Sequence, residues 1–190
     1  MLRIFSQNIT NYGIPIPEGS ILRINLAWIN TIDELKSLLK KHINSKIFLD
    51  LPIRRTKPPN NKYSFDDLIT ILISNKNIRY LAISNVNSTD DLKKFIDKIP
   101  KHVSLVPKIE SPAGILNIEN ITNMLGDEKI IMLDHDDLYS NLIKQNENQE
   151  KFKEYITNLA DFCQKNNITM LRTIGVIFSD EETRVTQYMK

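Results

Sequence analysis

The chain has 190 residues, 41% of them hydrophobic and 25% charged, with a formal net charge of +2. Those proportions are ordinary for a globular protein with enough chain for a sizeable core, and the interleaving of lysines with acids offers neither a nucleic-acid nor a membrane surface. No apolar run approaches the ~20 residues of a membrane span, the N-terminus lacks the apolar core of a signal peptide, and the single Cys163 excludes a disulfide within the chain. One cytoplasmic domain over residues 1–190 is expected.

Short apolar runs alternate with amphipathic stretches. Leu2–Gln7 is the weakest candidate strand. Ile21–Ala27 is the first firm one, followed by a helical pattern over Thr31–His42 that opens with Thr31 and Glu34, the residues of a capping box. Lys46–Leu51 reads as a strand, then Arg54-Arg-Thr-Lys-Pro-Pro-Asn-Asn-Lys62 as a stiff basic loop. Helical Ser64–Asn75 precedes strand Arg79–Ser84, and helical Ser88–Ile99 precedes strand Val103–Ile109; both helices carry acids in their first turns. Helical Gly114–Leu125, strand Ile130–Asp134, helical Asn148–Asn166 and strand Ile168–Ile174 complete the chain. Strands this rich in Ile, Leu and Val, each followed by a helix, predict βα units and a parallel sheet. The fold class is α/β: a compact (β/α) TIM-type barrel of about seven strands, trimmed because an eightfold barrel usually takes ~250 residues.

Two strand ends carry the chemistry. Val103-Ser-Leu-Val-Pro-Lys-Ile-Glu-Ser-Pro-Ala-Gly-Ile115 places Lys108 and Glu110 two residues apart, so both project from one face of the sheet. Ile130-Ile-Met-Leu-Asp-His-Asp-Asp-Leu138 runs from a strand into three acids, which repel one another unless a cation relieves them. If the two strands are neighbours, Glu110 and one of Asp134, Asp136 or Asp137 can share an ion. A strand-end ion pair and a solvated acidic loop that caps the next helix are the plain readings of the same residues. Arg23, Asn25, Asp50, Ser84, Asn85, Arg172 and Thr173 also end strands; on one rim of a barrel such residues describe an anion- and metal-binding mouth. His135 is the histidine placed for function. His42 and His102 read as surface residues, Trp28 as packing against the helix that follows and Cys163 as a small core residue.

Lys108-Ile-Glu-Ser-Pro-Ala-Gly-Ile115 resembles the pyruvate kinase signature, departing at Ala113. Leu22-Arg-Ile-Asn-Leu-Ala27, Lys46–Lys57, Arg79–Leu92, Ile131–Leu138 and Met170-Leu-Arg-Thr173 resemble further segments of that family, in the same order, over roughly residues 20–175. The resemblance implies a phosphoenolpyruvate/pyruvate barrel in which Glu110 and Asp137 hold Mg²⁺ or Mn²⁺. It makes Lys108 and Arg23 the catalytic cations, on a phosphoryl group or an enolate oxygen, with Arg23 contacting phosphate. The resemblance places Thr173 in the substrate pocket; together with it, the polar strand ends Asn25 and Ser84 and the loop residue Arg55 are the substrate-binding candidates. The expected activity is metal-dependent chemistry on phosphoenolpyruvate, pyruvate or a related 2-oxo acid through a metal-stabilised enolate. Several departures count against ordinary phosphoryl transfer. Lys57-Pro-Pro-Asn-Asn-Lys62 leads directly to the next helix where that family inserts its lid domain, no C-terminal regulatory domain is expected, and His135-Asp136 replaces an Arg-Gly pair. Ala27 stands for a potassium-binding hydroxyl, which argues against a potassium requirement. The same superfamily includes 4-hydroxy-2-oxoheptanedioate aldolases and citrate lyase β-type enzymes, whose Asp-Leu-Ser-x-x-Leu segment is similar to Asp137-Leu-Tyr-Ser-Asn-Leu142. An aldolase or lyase is therefore the alternative, with Arg23 or Arg55 on the enolate. A non-catalytic barrel that binds a metabolite or partner protein is a second alternative. The partner expected is a small oxo acid or its phosphate. The edge left by an incomplete barrel implies self-association.

Overall fold

The computed structural model describes residues 4–6, 18–55 and 63–172. It is an α/β fold with seven strands among those residues. By packing the chain divides into two compact units, one built from residues 1–84 and 94–105, the other from 85–93 and 106–190.

In the first unit, β1 (Ile4–Ser6), β2 (Ile21–Asn25), β3 (Lys46–Leu51) and β4 (Ile78–Ile83) lie in that order, each parallel to the next. Parallel neighbours require a crossover; α1 (Ile32–Lys41) supplies one between β2 and β3, and α2 (Phe65–Ser74) the next. The side chain of Thr31 accepts the Glu34 N–H at 3.1 Å, and Ser64 accepts that of Asp67 at 3.1 Å, so both helices begin where their capping residues dictate. Five successive residues of β3 are buried, Ile47 to Leu51, the run expected of a parallel strand covered on both faces. Leu35 and Leu39 of α1 and Leu68, Ile71 and Leu72 of α2 are buried too. The expected strand over Ile21–Ala27 stops at Asn25, because the Asn25 side chain accepts the Ala27 N–H at 3.0 Å and turns Leu26–Trp28 into a 3-10 turn.

The second unit contains β5 (Ser104–Ile109, entering it at Val106), β6 (Ile130–Leu133) and β7 (Thr169–Arg172), again parallel and in chain order. Its helices are α4 (Pro112–Leu116), α5 (Ile118–Asn123), α6 (His135–Lys144) and α7 (Lys151–Lys165); α3 (Asp90–Ile96) leads from this unit back into the first. Two elements differ from expectation. The single helix predicted over Gly114–Leu125 is two short ones. Asn117 breaks it, leaving helical geometry while its amide donates to the Asn87 and Ala113 carbonyls at 2.9 and 3.1 Å. The acid run after β6, whose plain reading is a loop that caps the next helix, is itself the start of α6, a helix the sequence pattern does not predict: Asp134 is its N-cap, and Asp136 and Asp137 sit in the first turn, where the helix dipole favours them. α6 buries Leu138 and Leu142, and Tyr139 meets Phe152 of α7 edge to face at 5.2 Å. Among the described residues, no helix is long and apolar enough to cross a membrane.

Candidate metal centre at the ends of two strands

β5 ends at Ile109 and β6 at Leu133, and those two residues are register partners. The residue after each is an acid, so the parallel pairing delivers Glu110 and Asp134 to the same edge. The Asp134 N–H donates to the Ile109 carbonyl at 3.2 Å, carrying the ladder one step past β6. The first turn of α6 then brings Asp137 back: its N–H donates to Asp134 Oδ1 at 3.3 Å. Glu110, Asp134 and Asp137 each offer a carboxylate oxygen, and the three oxygens lie within 4.8 Å of one another. Asp136 is not part of this set.

Lys108 joins them from the same face of β5 as Glu110, as the two-residue period requires. Its Nζ lies 2.8 Å from Glu110 Oε1 and 3.9 Å from Asp134 Oδ2, with the lysine and glutamate side chains almost wholly buried. Glu110 is fixed from two further directions. Its Oε2 accepts the Asn85 N–H at 2.6 Å, and its backbone carbonyl accepts the Asn141 amide at 2.7 Å. Asn85 adopts a left-handed conformation, φ 56°, which asparagine tolerates better than most residues. Asn141 lies one helical turn beyond Asp137, so one face of α6 both contributes an acid and clamps the strand that carries another.

The approach of the loop over Asn85–Asn87 to α4 depends on Gly114. A Cβ there would stand 2.6 Å from the Val86 carbonyl oxygen and 3.3 Å from an Ile109 methyl. Ser111 caps α4 by accepting the Gly114 N–H at 3.2 Å, and its hydroxyl bonds the Asn87 side chain. Gly114→Ala is expected to destabilise the chain by about 1–2 kcal/mol, since overpacking against backbone outweighs the helix propensity gained. Urea denaturation of the two chains measures it.

Burial raises the pKa of Glu110, and Lys108 only partly opposes this. Burial likewise raises that of Asp134, with Asp137 and Asp136 adding repulsion against Lys108. A raised native pKa means that the folded state holds protons the unfolded chain has released. These two groups therefore subtract stability as pH rises from the ordinary carboxylate range through their native pKa values. Asparagine caps a helix as well as aspartate does. The stability of Asp134→Asn relative to the parent chain, both free of metal, should accordingly increase between pH 4 and 8; denaturant midpoints across that range check the sign.

The other residues singled out in the sequence are distributed as follows. Arg23 lies on β2 in the first unit, paired with buried Asp50 of β3: its Nε donates to Asp50 Oδ2 at 3.1 Å and its Nη2 contacts the same oxygen. Asn25 is the cap of the 3-10 turn. Ser84 is buried, and its N–H donates to the Leu51 carbonyl at 3.2 Å. Arg55 is half-buried beyond β3, and Thr173 lies outside the described residues. His135 is buried at the start of α6 with neither ring nitrogen hydrogen-bonded; burial, then Arg172, lowers its pKa and keeps it neutral. Trp28 is 39% exposed rather than packed away. Cys163 is buried, its thiol pushed up to about 11 by burial, and behaves as a core residue. The ligand pair implied by the resemblance is Glu110 and Asp137; the structure brings Asp134, one of the other acids weighed for the site, to the same cluster. Asn85, which holds Glu110, is among the polar strand ends read from the sequence, whereas Asn141, which holds it too, carries no such signal in isolation.

No family model and no curated protein matches this sequence. Solved structures do match. RipC from Yersinia pestis superposes with a TM-score of 0.62 at 16% identity, over 94% of this chain and 79% of that one. A HpcH/HpaI aldolase/citrate lyase family protein from Burkholderia cenocepacia J2315 gives 0.61 at 12%, over 92% and 80%. Citrate synthase SbnG gives 0.58 at 12%, over 86% and 71%. The chain therefore shares its α/β fold with these three proteins, of which one is an aldolase/citrate lyase family protein and one a citrate synthase.

Proposed function

We propose that this chain is a divalent-metal-dependent carbon–carbon lyase or aldolase acting on a 2-oxo acid, with Glu110, Asp134 and Asp137 as its metal ligands. The observation that carries this reading is the convergence of three carboxylates from two adjacent strand ends. All-oxygen, anionic donors suit Mg²⁺ or Mn²⁺. At a metal–oxygen distance of about 2.1 Å, octahedral ligands lie roughly 3 Å (cis) to 4.2 Å (trans) apart. Oxygens within 4.8 Å of one another reach that geometry by a small contraction. The raised pKa values of Glu110 and Asp134 state the same fit electrostatically, since a cation would stabilise the charged forms that burial disfavours.

When bound, such an ion supplies Lewis acidity toward a substrate carbonyl. The chain's own residues do the rest. Asn85 and Asn141 hold Glu110 in place. Lys108 brings a buried positive charge to the same edge, where it can stabilise an oxyanion as it develops. The phosphoryl-transfer reading implied by the pyruvate kinase resemblance gives way to the lyase, because the solved structures described above include an aldolase/citrate lyase family protein and a citrate synthase. Parallel strands in chain order within each unit support a trimmed barrel as the architecture. A single buried thiol supports a cytoplasmic setting.

The test is an assay with Mn²⁺ or Mg²⁺, pyruvate and a panel of short aldehydes, run beside phosphoenolpyruvate with ADP. Metal-dependent condensation without ADP phosphorylation is the expected result. Phosphorylation without condensation would return the chain to the kinase reading, and metal binding with neither activity would make it a non-catalytic binder.

A further inference from the structure

We propose, on the metal-binding reading above, that Lys108 is the site's internal counter-cation: it occupies Glu110 in the metal-free chain, must leave when a divalent ion enters, and is thereby released toward the substrate's anionic group.

Both oxygens of Glu110 are engaged. Oε2 accepts the Asn85 N–H at 2.6 Å, and Oε1 faces the Lys108 ammonium at 2.8 Å. The same ammonium leans toward Asp134 Oδ2 at 3.9 Å. It thus stands against two of the three carboxylates that a metal would need. An ion at about 2.1 Å from Glu110 Oε1, with Nζ still 2.8 Å from that oxygen, would put the two cations within roughly 5 Å of each other. Glu110 is 2% exposed and Lys108 6%, so little water screens that repulsion. The strand does not have to move to relieve it. Lysine carries a compact charge on a flexible four-carbon stem, and the Val86 N–H continues to hold the Lys108 carbonyl at 3.2 Å.

Two consequences follow from competition for one set of oxygens. Lys108 weakens the binding of metal alone. It also couples metal to anion: once Glu110 no longer neutralises the ammonium, the ammonium favours a carboxylate or oxyanion beside the ion, and by linkage an anion that engages Lys108 strengthens metal binding.

The experiment is a Mn²⁺ titration, followed by electron paramagnetic resonance at pH 8, of the full chain and of Lys108→Met, each with and without oxalate as the anion. Lys108→Met should bind Mn²⁺ alone about tenfold more tightly, and oxalate should tighten Mn²⁺ binding in the parent chain more than in the variant. Equal or weaker Mn²⁺ binding by a folded Lys108→Met would overturn the proposal while leaving the metal centre standing. Absence of Mn²⁺ binding in both chains would remove the metal centre and the proposal together. Should Lys108→Met not fold, the parent chain decides. Mn²⁺ should increase the rate at which trinitrobenzenesulfonate modifies Lys108, read by peptide mass spectrometry, and an unchanged rate would overturn the proposal.

Discussion

Glu110→Gln is expected to weaken Mn²⁺ binding on the order of 100-fold or more. Loss of a residue that merely supports a ligand typically costs about 10- to 100-fold in metal affinity, and a ligand itself no less. The substitution keeps the side chain's shape, and its amide oxygen can still accept the Asn85 N–H that Glu110 accepts at 2.6 Å. What changes is charge. The same substitution removes the carboxylate 2.8 Å from the Lys108 ammonium. Breaking a buried pair by deleting one partner costs about 3–5 kcal/mol. The low end, about 3 kcal/mol, applies here because Asp134 remains 3.9 Å from the ammonium. Calorimetric titration with Mn²⁺ and urea denaturation of the metal-free chain measure the two effects separately. Unchanged metal affinity would place the ligands elsewhere.

Arg23→Met is expected to act mainly on stability, at about 3 kcal/mol. Asp50 is 1% exposed, and the Arg23 guanidinium meets its Oδ2 through both Nε and Nη2. Removing the arginine leaves a buried carboxylate without that partner. Replacing both members by apolar residues, Arg23→Met with Asp50→Leu, should recover much of the loss, since a buried pair is worth far less than either half alone costs to expose. An Arg23→Met chain as stable as the parent would show that the guanidinium is held for a ligand rather than for Asp50.

The contrast between Arg23 and Glu110 shows where sequence reasoning reached. Strand periodicity alone placed Lys108 and Glu110 on one face, and the ion pair between them follows from that spacing. Apolar runs of Ile, Leu and Val located six of the observed strands. β3 to β6 were placed to within a residue because their burial leaves an almost unbroken hydrophobic signal, while β2 ends two residues early and the expected end of the last strand lies outside the described residues. The acid run after β6 was harder. Asp134, Asp136 and Asp137 read equally well as metal ligands or as a solvated loop that caps the next helix; they prove to be a cap and a first turn, and Asp134 and Asp137, but not Asp136, also converge on Glu110. One role does not exclude another, and residue types cannot rank them. Asn117 broke a predicted helix through bonds to Asn87, thirty positions away, and Asn141 reached Glu110 across thirty-one. Contacts at that separation are created by the tertiary fold and leave no local pattern. Arg23 shows the converse limit. A cation at a strand end resembles an anion site until the neighbouring strand is seen to present Asp50.

The most direct test of the metal centre is stoichiometric Mn²⁺ binding by the metal-free chain, set beside Glu110→Gln, Asp134→Asn and Asp137→Asn. One ion per chain, lost or greatly weakened in each of the three variants, is the predicted result. No binding by the parent chain, or binding that survives all three substitutions, would contradict it.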